Sequence, residues 1–278
     1  MSKKSFSHHS SDVPADAHQK SPTRSNWAVS PTTLLQFLIF NFAFLIFVGC
    51  GFDVEDPTPP EPPQWVPKSL PEEWPERGID AHEAGGIHLA WYGNLEEEIE
   101  KYHIYRVAHQ IDGENSDDLE KIGEVDNKHL EYYAYVDVKI NTNIRYSYRL
   151  KAEDSSNNLS EYSNSLDYPL LPQIVEATLS PNSIYDSLST DRTLSWEYIY
   201  LTEMQDYCIT IIDNHNKLVL RTVFNPADYS GRLEFWKIPD SISLKKGELY
   251  KWRIDTAARY RGGFETSGSE SIWATFIY

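Results

Sequence analysis

The sequence predicts an all-β fold made of two β-sandwich modules in tandem, and three observations support this prediction. Short segments of alternating apolar and polar residues follow one another along much of the chain, and a period of two is typical of half-buried strands. No segment keeps the period of 3.6 residues that indicates an amphipathic helix. The strand pattern of one half also recurs in the other at a nearly constant spacing.

The first predicted strand shows the alternation directly. Ile87, Leu89 and Trp91 face one way, while the residues between them face the other. Polar turn residues separate this strand from the next, as expected for antiparallel sheets. Further segments with strand character are 102–107, 133–138, 146–152, 194–196, 207–212, 217–224, 250–255 and 272–278.

An aromatic pair repeats along the chain. Trp91 precedes Tyr102 by 11 residues, and Trp196 precedes Tyr207 by 11 residues. The two tryptophans lie 105 residues apart. Because the same spacing occurs twice, we expect two modules of similar architecture.

A second aromatic position repeats as well, since Tyr146 and Tyr250 lie 104 residues apart. Trp on an early strand, Tyr-x-Ile-Tyr-Arg on the next, and Tyr-x-Tyr-Arg-Leu-x-Ala-x-Asp further on resemble fibronectin type III domains, which have an immunoglobulin-like fold. The resemblance implies a fibronectin type III domain over residues 76–170. It implies a fibronectin-III-like β-sandwich over residues 171–278, where the motif is less complete.

The resemblance also implies structural roles for the repeated aromatic residues. Trp91 is expected to pack in the middle of the first sandwich. Tyr146 is expected to be a tyrosine corner, with its hydroxyl group bonded to the backbone near Ile140. These positions predict a fold and do not identify a ligand. The structural set is Trp91, Tyr102, Tyr146, Trp196, Tyr207 and Tyr250.

The N-terminal region carries an apolar run over residues 34–48 that ends at Gly49 and Cys50. A run of 15 residues is shorter than the roughly 20 that a membrane-spanning helix needs, and it fits the core of a signal peptide. The sequence Phe47-Val48-Gly49-Cys50 resembles the lipobox of bacterial lipoproteins. The resemblance implies a signal peptide over residues 1–49, lipid attachment at Cys50 and an outer-membrane destination in the cell envelope. The alternative is an uncleaved signal anchor.

Residues 50–75 are predicted to form a spacer after the lipidated cysteine. This stretch is rich in proline and acidic residues, and proline favours an extended, semi-rigid chain. Trp65 and Trp74 are expected to dock on the first module, with ligand contact as the alternative.

The charge of the chain excludes one class of partner. The formal net charge is −17. Removal of residues 1–49 leaves 25 − 4 = 21 basic and 42 − 2 = 40 acidic side chains, or −19. Such a surface repels phosphate backbones, so the sequence predicts no nucleic-acid partner.

The sequence contains no Gly-x-Ser-x-Gly, no His-Glu-x-x-His and no phosphate-binding glycine loop. We therefore predict a protein that is not an enzyme and needs no cofactor or metal. The acidic run from Glu96 to Glu100 is interpreted as a solvated loop. Segments 112–118 and 213–216 carry several oxygen ligands for calcium, but turns are the favoured interpretation for both.

Aromatic residues near the last strands suggest a binding surface, although a plain connecting loop is the favoured interpretation of residues 258–264. Tyr260 and Phe264 lie in a polar, glycine-containing loop, and Trp236 lies upstream. Exposed aromatic rings beside polar groups are typical of sugar-binding platforms. The sequence thus favours a membrane-anchored, non-catalytic adhesive, structural or protein-binding element. The alternative is a carbohydrate-binding surface lipoprotein.

Overall fold

The computed structural model describes residues 57–70, 73–109, 119–142, 144–198, 205–224, 233–258 and 267–278. Within these ranges the chain forms antiparallel strands and one short 3-10 turn at Glu176–Thr178, so the all-β prediction is confirmed. No helix in the described part of the chain is long and apolar enough to cross a bilayer.

Among the described residues, the first module contains seven strands in two sheets. One sheet has the order β1-β2-β5, and the other has the order β4-β3-β6-β7 once the strands are numbered along the chain. All of the pairings are antiparallel. The strands are β1 (Asp80–His82), β2 (Gly86–Tyr92), β3 (Ile99–His109), β4 (Glu120–Asp126), β5 (Tyr132–Asp137), β6 (Arg145–Asp154) and β7 (Leu166–Pro169).

One apolar core lies between these two sheets. Ile87, Leu89 and Trp91 of β2 are fully buried and meet Ile104 of β3 and Leu150 of β6 in a single cluster. The burial alternates along each strand, because successive side chains point to opposite faces. Two sheets that share one core form an immunoglobulin-like β-sandwich.

The second module repeats this arrangement. Strands β8 and β11 form one sheet, and β10, β9 and β12 form the other, with β13 and β14 both paired to β12. Ser180 also pairs with Ser195 beside β8, in the place that β1 occupies in the first module. The strands are β8 (Thr193–Glu197), β9 (Gln205–Asp213), β10 (Leu218–Phe224), β11 (Leu233–Lys237), β12 (Leu249–Ala258), β13 (Gly268–Glu270) and β14 (Ala274–Ile277).

The second core is separate from the first. It is built around Trp196, Trp252 and Phe276, all fully buried. Trp252 donates its indole N–H to the carbonyl oxygen of Pro181 at 2.8 Å. Each module therefore has its own apolar interior, and both belong to one compact unit that extends from Glu55 to Tyr278.

The repeated aromatic residues make matching contacts in the two cores. The rings of Trp91 and Tyr102 meet edge to face at 5.7 Å, and those of Trp196 and Tyr207 do so at 5.2 Å. Edge-to-face pairs of this kind are a favourable aromatic geometry. All four side chains are buried.

The two tyrosine corners also match. The backbone N–H of Asn141 donates to the hydroxyl oxygen of Tyr146 at 2.9 Å. The backbone N–H of Lys245 donates in the same way to Tyr250 at 2.8 Å. In both cases the donor lies five residues before the tyrosine, so each ring fixes the chain that crosses between the sheets.

Part of the segment predicted as a spacer is bonded to the first module. Within residues 57–70, Trp65 pairs with Trp91 in antiparallel fashion, and the N–H of Val66 donates to Ala90 at 3.0 Å. Trp65 also donates its indole N–H to Asn164 at 2.7 Å. This stretch is therefore the first part of an edge strand of the first sandwich. The backbone N–H of Val66 and the indole N–H of Trp65 thus find their hydrogen-bond partners on the first module.

Candidate functional site

The edge strand is interrupted by an insert, residues 67–79. Before the insert the chain pairs with the end of β2, and after it β1 pairs with the beginning of the same strand. The N–H of Ser69 donates to Arg77 at 3.1 Å and closes the base of the insert. Gly78 has φ +85°, and a side chain there would collide with Lys68, since an added Cβ would lie 2.6 Å from its Cα. Glycine thus permits the two arms of the insert to approach closely.

The insert carries Trp74 and Glu76 to the second module. Glu76 bonds Arg253 of β12 at 2.6 Å and Arg221 of β10 at 2.5 Å. The indole ring of Trp74 meets that of Trp273 edge to face at 6.4 Å. Trp74 therefore docks on the second module, and the expectation that it docks on the first is wrong.

These contacts belong to a charge cluster that we call the junction cluster: Glu76, Arg221, Arg253, Asp255 and Glu270. Arg253 lies 3.0 Å from an oxygen of Glu270 and 3.0 Å from an oxygen of Asp255. Its Nε also lies 2.6 Å from the other oxygen of Asp255, as a charge contact rather than a directed hydrogen bond. Arg221 lies 3.2 Å from Asp255. Three carboxylates thus share two guanidinium groups.

The junction cluster is largely removed from solvent. The side chain of Arg221 is 4% exposed and that of Arg253 is 6% exposed. Two indole rings cover the guanidinium groups, with Arg221 5.8 Å from Trp74 and Arg253 5.1 Å from Trp273. Burial strengthens each pair interaction and also makes any unpaired charge costly.

The environment shifts the pKa values of the three carboxyl groups in different directions. Burial raises the pKa of Asp255 to about 6, although both arginines oppose the shift. Burial likewise raises the pKa of Glu270 well above its usual range. Burial alone would raise the pKa of Glu76, but the charges of Arg253 and Arg221 together outweigh burial and lower it. Asp255 and Glu270 therefore hold a proton more tightly than they would in water, whereas Glu76 holds one less tightly.

The geometry of the cluster fits a clamp better than a metal centre. Oxygen atoms of Glu76, Asp255 and Glu270 lie within 4.8 Å of one another, a separation compatible with a cation. Those oxygens are already bonded to the two arginines, which occupy the space between them. Guanidinium groups pair with carboxylates through several donors at once, so they hold the three strands and the insert together.

Neutral hydrogen bonds reinforce the junction. The N–H of Leu171 donates to Gly268 at 2.8 Å, in parallel pairing with β13. Gln173 donates to the carbonyl oxygens of both Glu83 and Glu270, at 2.9 and 2.7 Å. The connection between the modules is thus bonded on both sides of the joint.

A second feature lies at one end of the first sandwich. A surface groove of about 870 Å³, which we call the end groove, is lined by residues from segments 61–64, 92–97 and 129–131. Leu95 is 99% exposed and Leu130 is 52% exposed, so apolar side chains face solvent here. The run from Glu96 to Glu100, predicted as a solvated acidic loop, contributes Glu96 and Glu97 to the lining.

One arrangement resembles hydrolase chemistry only in its residue types. Ser147 lies 2.6 Å from the imidazole of His109 and donates its hydroxyl hydrogen to Asp167 at 2.5 Å. In a catalytic triad the imidazole lies between the serine and the carboxylate. Here the serine occupies the middle and its proton points to the carboxylate, so the imidazole is not placed as its base.

Of the three residues predicted to bind a ligand, the structure describes Trp236 alone, so the predicted site stays a prediction. Trp236 on β11 is half-buried and packs against the second core. Tyr260, Phe264 and Cys50 lie outside the described residues. All six residues of the structural set are buried, from 0 to 4% exposed.

One of the two calcium-like segments is described, and it is a turn. Asp213 accepts hydrogen bonds from the backbone of His215 and Lys217, each at 2.9 Å, and Asn216 has φ 59°. These bonds close the hairpin between β9 and β10. Residues 112–118 lie outside the described part of the chain.

Sequence reasoning missed the junction cluster. Its one visible signal is in β12, where Arg253 and Asp255 occupy the face opposite to the core residues Trp252 and Ile254. Charge on that face is ordinary for a solvated strand, and nothing in the local pattern indicates that another segment covers it. Glu76 is 145 residues from Arg221 and 177 from Arg253, so spacing gives no hint of the contact.

No protein-family model matches the chain, and no curated protein matches it. Among solved structures, the FN1–FN3 domains of chicken CNTN1 match with 14% sequence identity and a TM-score of 0.28, covering 79% of this chain and 67% of that one. The strand order and the two apolar cores described above define the fold.

Proposed function

We propose that the chain is a non-catalytic element of the bacterial cell envelope, in which two fibronectin-III-like modules form one rigid unit for protein binding or for spacing. The observation that carries this proposal is the junction cluster. Its buried ion pairs join the insert of the first module to two strands of the second. A sandwich that holds its neighbour in this way can present its loops at a fixed distance and angle.

The bonding at the joint favours rigidity over pivoting. Interfaces between domains usually permit relative motion unless they are large or tightly bonded. Here a buried charge cluster, an indole pair and backbone hydrogen bonds act on opposite sides of the connecting segment. Rotation at the joint would separate Glu76 from both arginines and leave their charges poorly solvated.

Distance measurements between spin labels test the rigid unit. Nitroxide labels are attached to Val138→Cys in the first module and Asp240→Cys in the second, both exposed positions. The full chain carries Cys50→Ser, and the other native cysteine, Cys208, is buried, so the label reacts with the introduced thiols. We expect a single narrow distance distribution, and a broader one after Glu76→Gln.

Glu98→Gln serves as the matched control, because Glu98 is an exposed carboxylate in the first module. It should leave the distribution unchanged. A broad distribution in the parent chain would overturn the rigid unit. So would a Glu76→Gln distribution that coincides with the parent.

The tether is the second part of the proposal. A lipid on Cys50 would place the unit at the membrane surface, with Trp65, the first residue paired to β2, 15 residues later in the sequence. Metabolic lipid labelling of the parent chain against Cys50→Ala tests the tether, with label expected in the parent alone. Equal labelling of both chains, or labelling of neither, would refute it.

A further inference from the structure

The end groove combines exposed apolar side chains with several carboxylates. Leu95 and Leu130 are 99% and 52% exposed, and Tyr92, in the same lining, is 37% exposed. Four carboxylates border these apolar groups: Glu61, Glu96, Glu97 and Glu131. Within the described lining, His129 is the one side chain able to carry positive charge.

Hydrogen bonds hold the walls of the end groove in place. Asn94 donates to the carbonyl oxygen of Glu61 at 2.7 Å, and its own N–H donates to Tyr102 at 2.9 Å. The N–H of Glu61 donates to the carboxylate of Glu96 at 2.9 Å. These bonds connect the edge strand, the β2–β3 loop and, through Tyr102, the core.

The third wall is fixed as well. The N–H of Gly93 donates to the carbonyl oxygen of Glu131 at 3.0 Å. The hydroxyl group of Tyr133, a core residue, accepts from the N–H groups of Lys128 and Leu130 at 2.9 and 3.0 Å. A groove whose backbone is already ordered loses little conformational entropy when a ligand enters.

We propose that the end groove binds a cationic, apolar segment of a protein partner. The carboxylates attract lysine or arginine side chains of the partner. Contact with the exposed leucines removes the partner's aliphatic groups from water. The negative charge of the chain opposes two other occupants. A second copy of this acidic chain brings further negative charge, and an anionic membrane surface is repelled in the same way. This inference does not depend on the rigidity of the junction.

Three synthetic peptides of 12 or so residues provide the probe. One alternates lysine with leucine, the second replaces every leucine by serine, and the third replaces every lysine by glutamate. Binding to the full chain is measured by fluorescence anisotropy at low and at physiological salt. We expect the lysine–leucine peptide to bind, and each of the other two to bind at least about tenfold more weakly.

Variants of the groove locate the binding. Leu95→Ser and Glu97→Gln should each weaken the binding of the lysine–leucine peptide by about tenfold. Both side chains are exposed, so neither change should affect folding. Glu98→Gln and Glu100→Gln remove neighbouring exposed carboxylates outside the groove and should change the affinity by less than about twofold.

Two results would overturn the proposal. If the lysine–serine peptide binds as well as the lysine–leucine peptide, and Leu95→Ser has no effect, the attraction is the general charge of the chain. If no peptide binds at low salt, the groove does not recognise cationic, apolar segments. In either case the distance measurements on the junction stand unaffected, so failure here is distinguishable from failure of the rigid unit.

Discussion

In the first module the half-buried guanidinium of Arg106 bonds the buried carboxylate of Asp137 at 2.7 Å, and Tyr148 donates to the same carboxylate at 3.1 Å. Every member of that group lies in the first sandwich. In the second module Arg253 takes one of its partners from the first, because Glu76 arrives on the insert. The apolar interiors repeat, whereas the buried charges do not.

This difference separates two kinds of stabilisation. The repeated apolar interior stabilises each module by itself. The two interiors even share a detail: the indole N–H groups of Trp91 and Trp196 both have no hydrogen-bond partner among the described residues. The junction cluster works only when both modules are present. Local periodicity can therefore reveal the first kind, while the second depends on how two folded bodies meet.

The largest effect is expected from removing an arginine of the junction cluster. Arg253→Met leaves Asp255, Glu270 and Glu76 with one guanidinium, and loss of one partner from a buried ion pair costs about 3 to 5 kcal/mol. The second module should be destabilised by that amount, and the insert should lose protection. Hydrogen exchange resolved by peptide, together with chemical denaturation, measures both effects.

Arg106→Met is the matched comparison in the first module. It should increase exchange around β3 and β5 and leave the insert and β12 protected. Equal loss of protection across the joint in the two variants would contradict the division between local and shared charge.

The pH dependence of stability is expected to give an intermediate effect. Folding raises the pKa of Asp255 to about 6, so the folded state binds that proton more tightly than the unfolded state. The contribution of this proton is complete below the ordinary pKa, 3.8, and disappears as the pH rises through about 6. Asp255→Asn keeps the side chain neutral, so its melting temperature relative to the parent should increase by several degrees between pH 4 and pH 7.

Asp240→Asn is the control for this comparison, since the side chain of Asp240 is 79% exposed. Its melting temperature should follow that of the parent at every pH. A constant difference between Asp255→Asn and the parent across the range would show that Asp255 does not titrate with the junction.

The smallest effect is expected at the tyrosine corners. Tyr146→Phe and Tyr250→Phe each remove one hydrogen bond to the backbone, a change of about 0.5 to 1.5 kcal/mol. Because the two corners have the same geometry, the two losses should be similar in size. Urea denaturation of the single variants measures them. A loss at one corner more than twice that at the other would show that the modules do not share this support.

The fold was largely predictable from the sequence because its signals are local. Alternation over 87–91 and 146–152 indicates strands, and the recurrence of Trp91 and Tyr146 in Trp196 and Tyr250 indicates a duplicated architecture. The strand boundaries shift by a few residues, as in β3, which begins at Ile99 rather than at Tyr102. β3 is longer than predicted because its backbone is paired with β6 from Ile99 to His109.

The candidate sites were not predictable to the same degree. Proline over residues 57–70 indicates an extended chain, but an extended chain is compatible with both a free spacer and an edge strand. The hydrogen bond between Val66 and Ala90 identifies the stretch as an edge strand, and this bond forms only in the folded module. The end groove also escaped notice, because Glu96 and Leu130 are distant in sequence and become neighbours only when the loops fold.

The interrupted edge strand affects how the two modules can be exchanged by recombination. Since the sequence between Trp65 and Asp80 both completes one sandwich and reaches into the next, no single cut in the chain yields two self-sufficient halves. A chain that starts at residue 76 would begin with the outer part of the first strand missing and Trp74 absent. In a genome that recombines interchangeable modules, this pair would have to be exchanged as one unit.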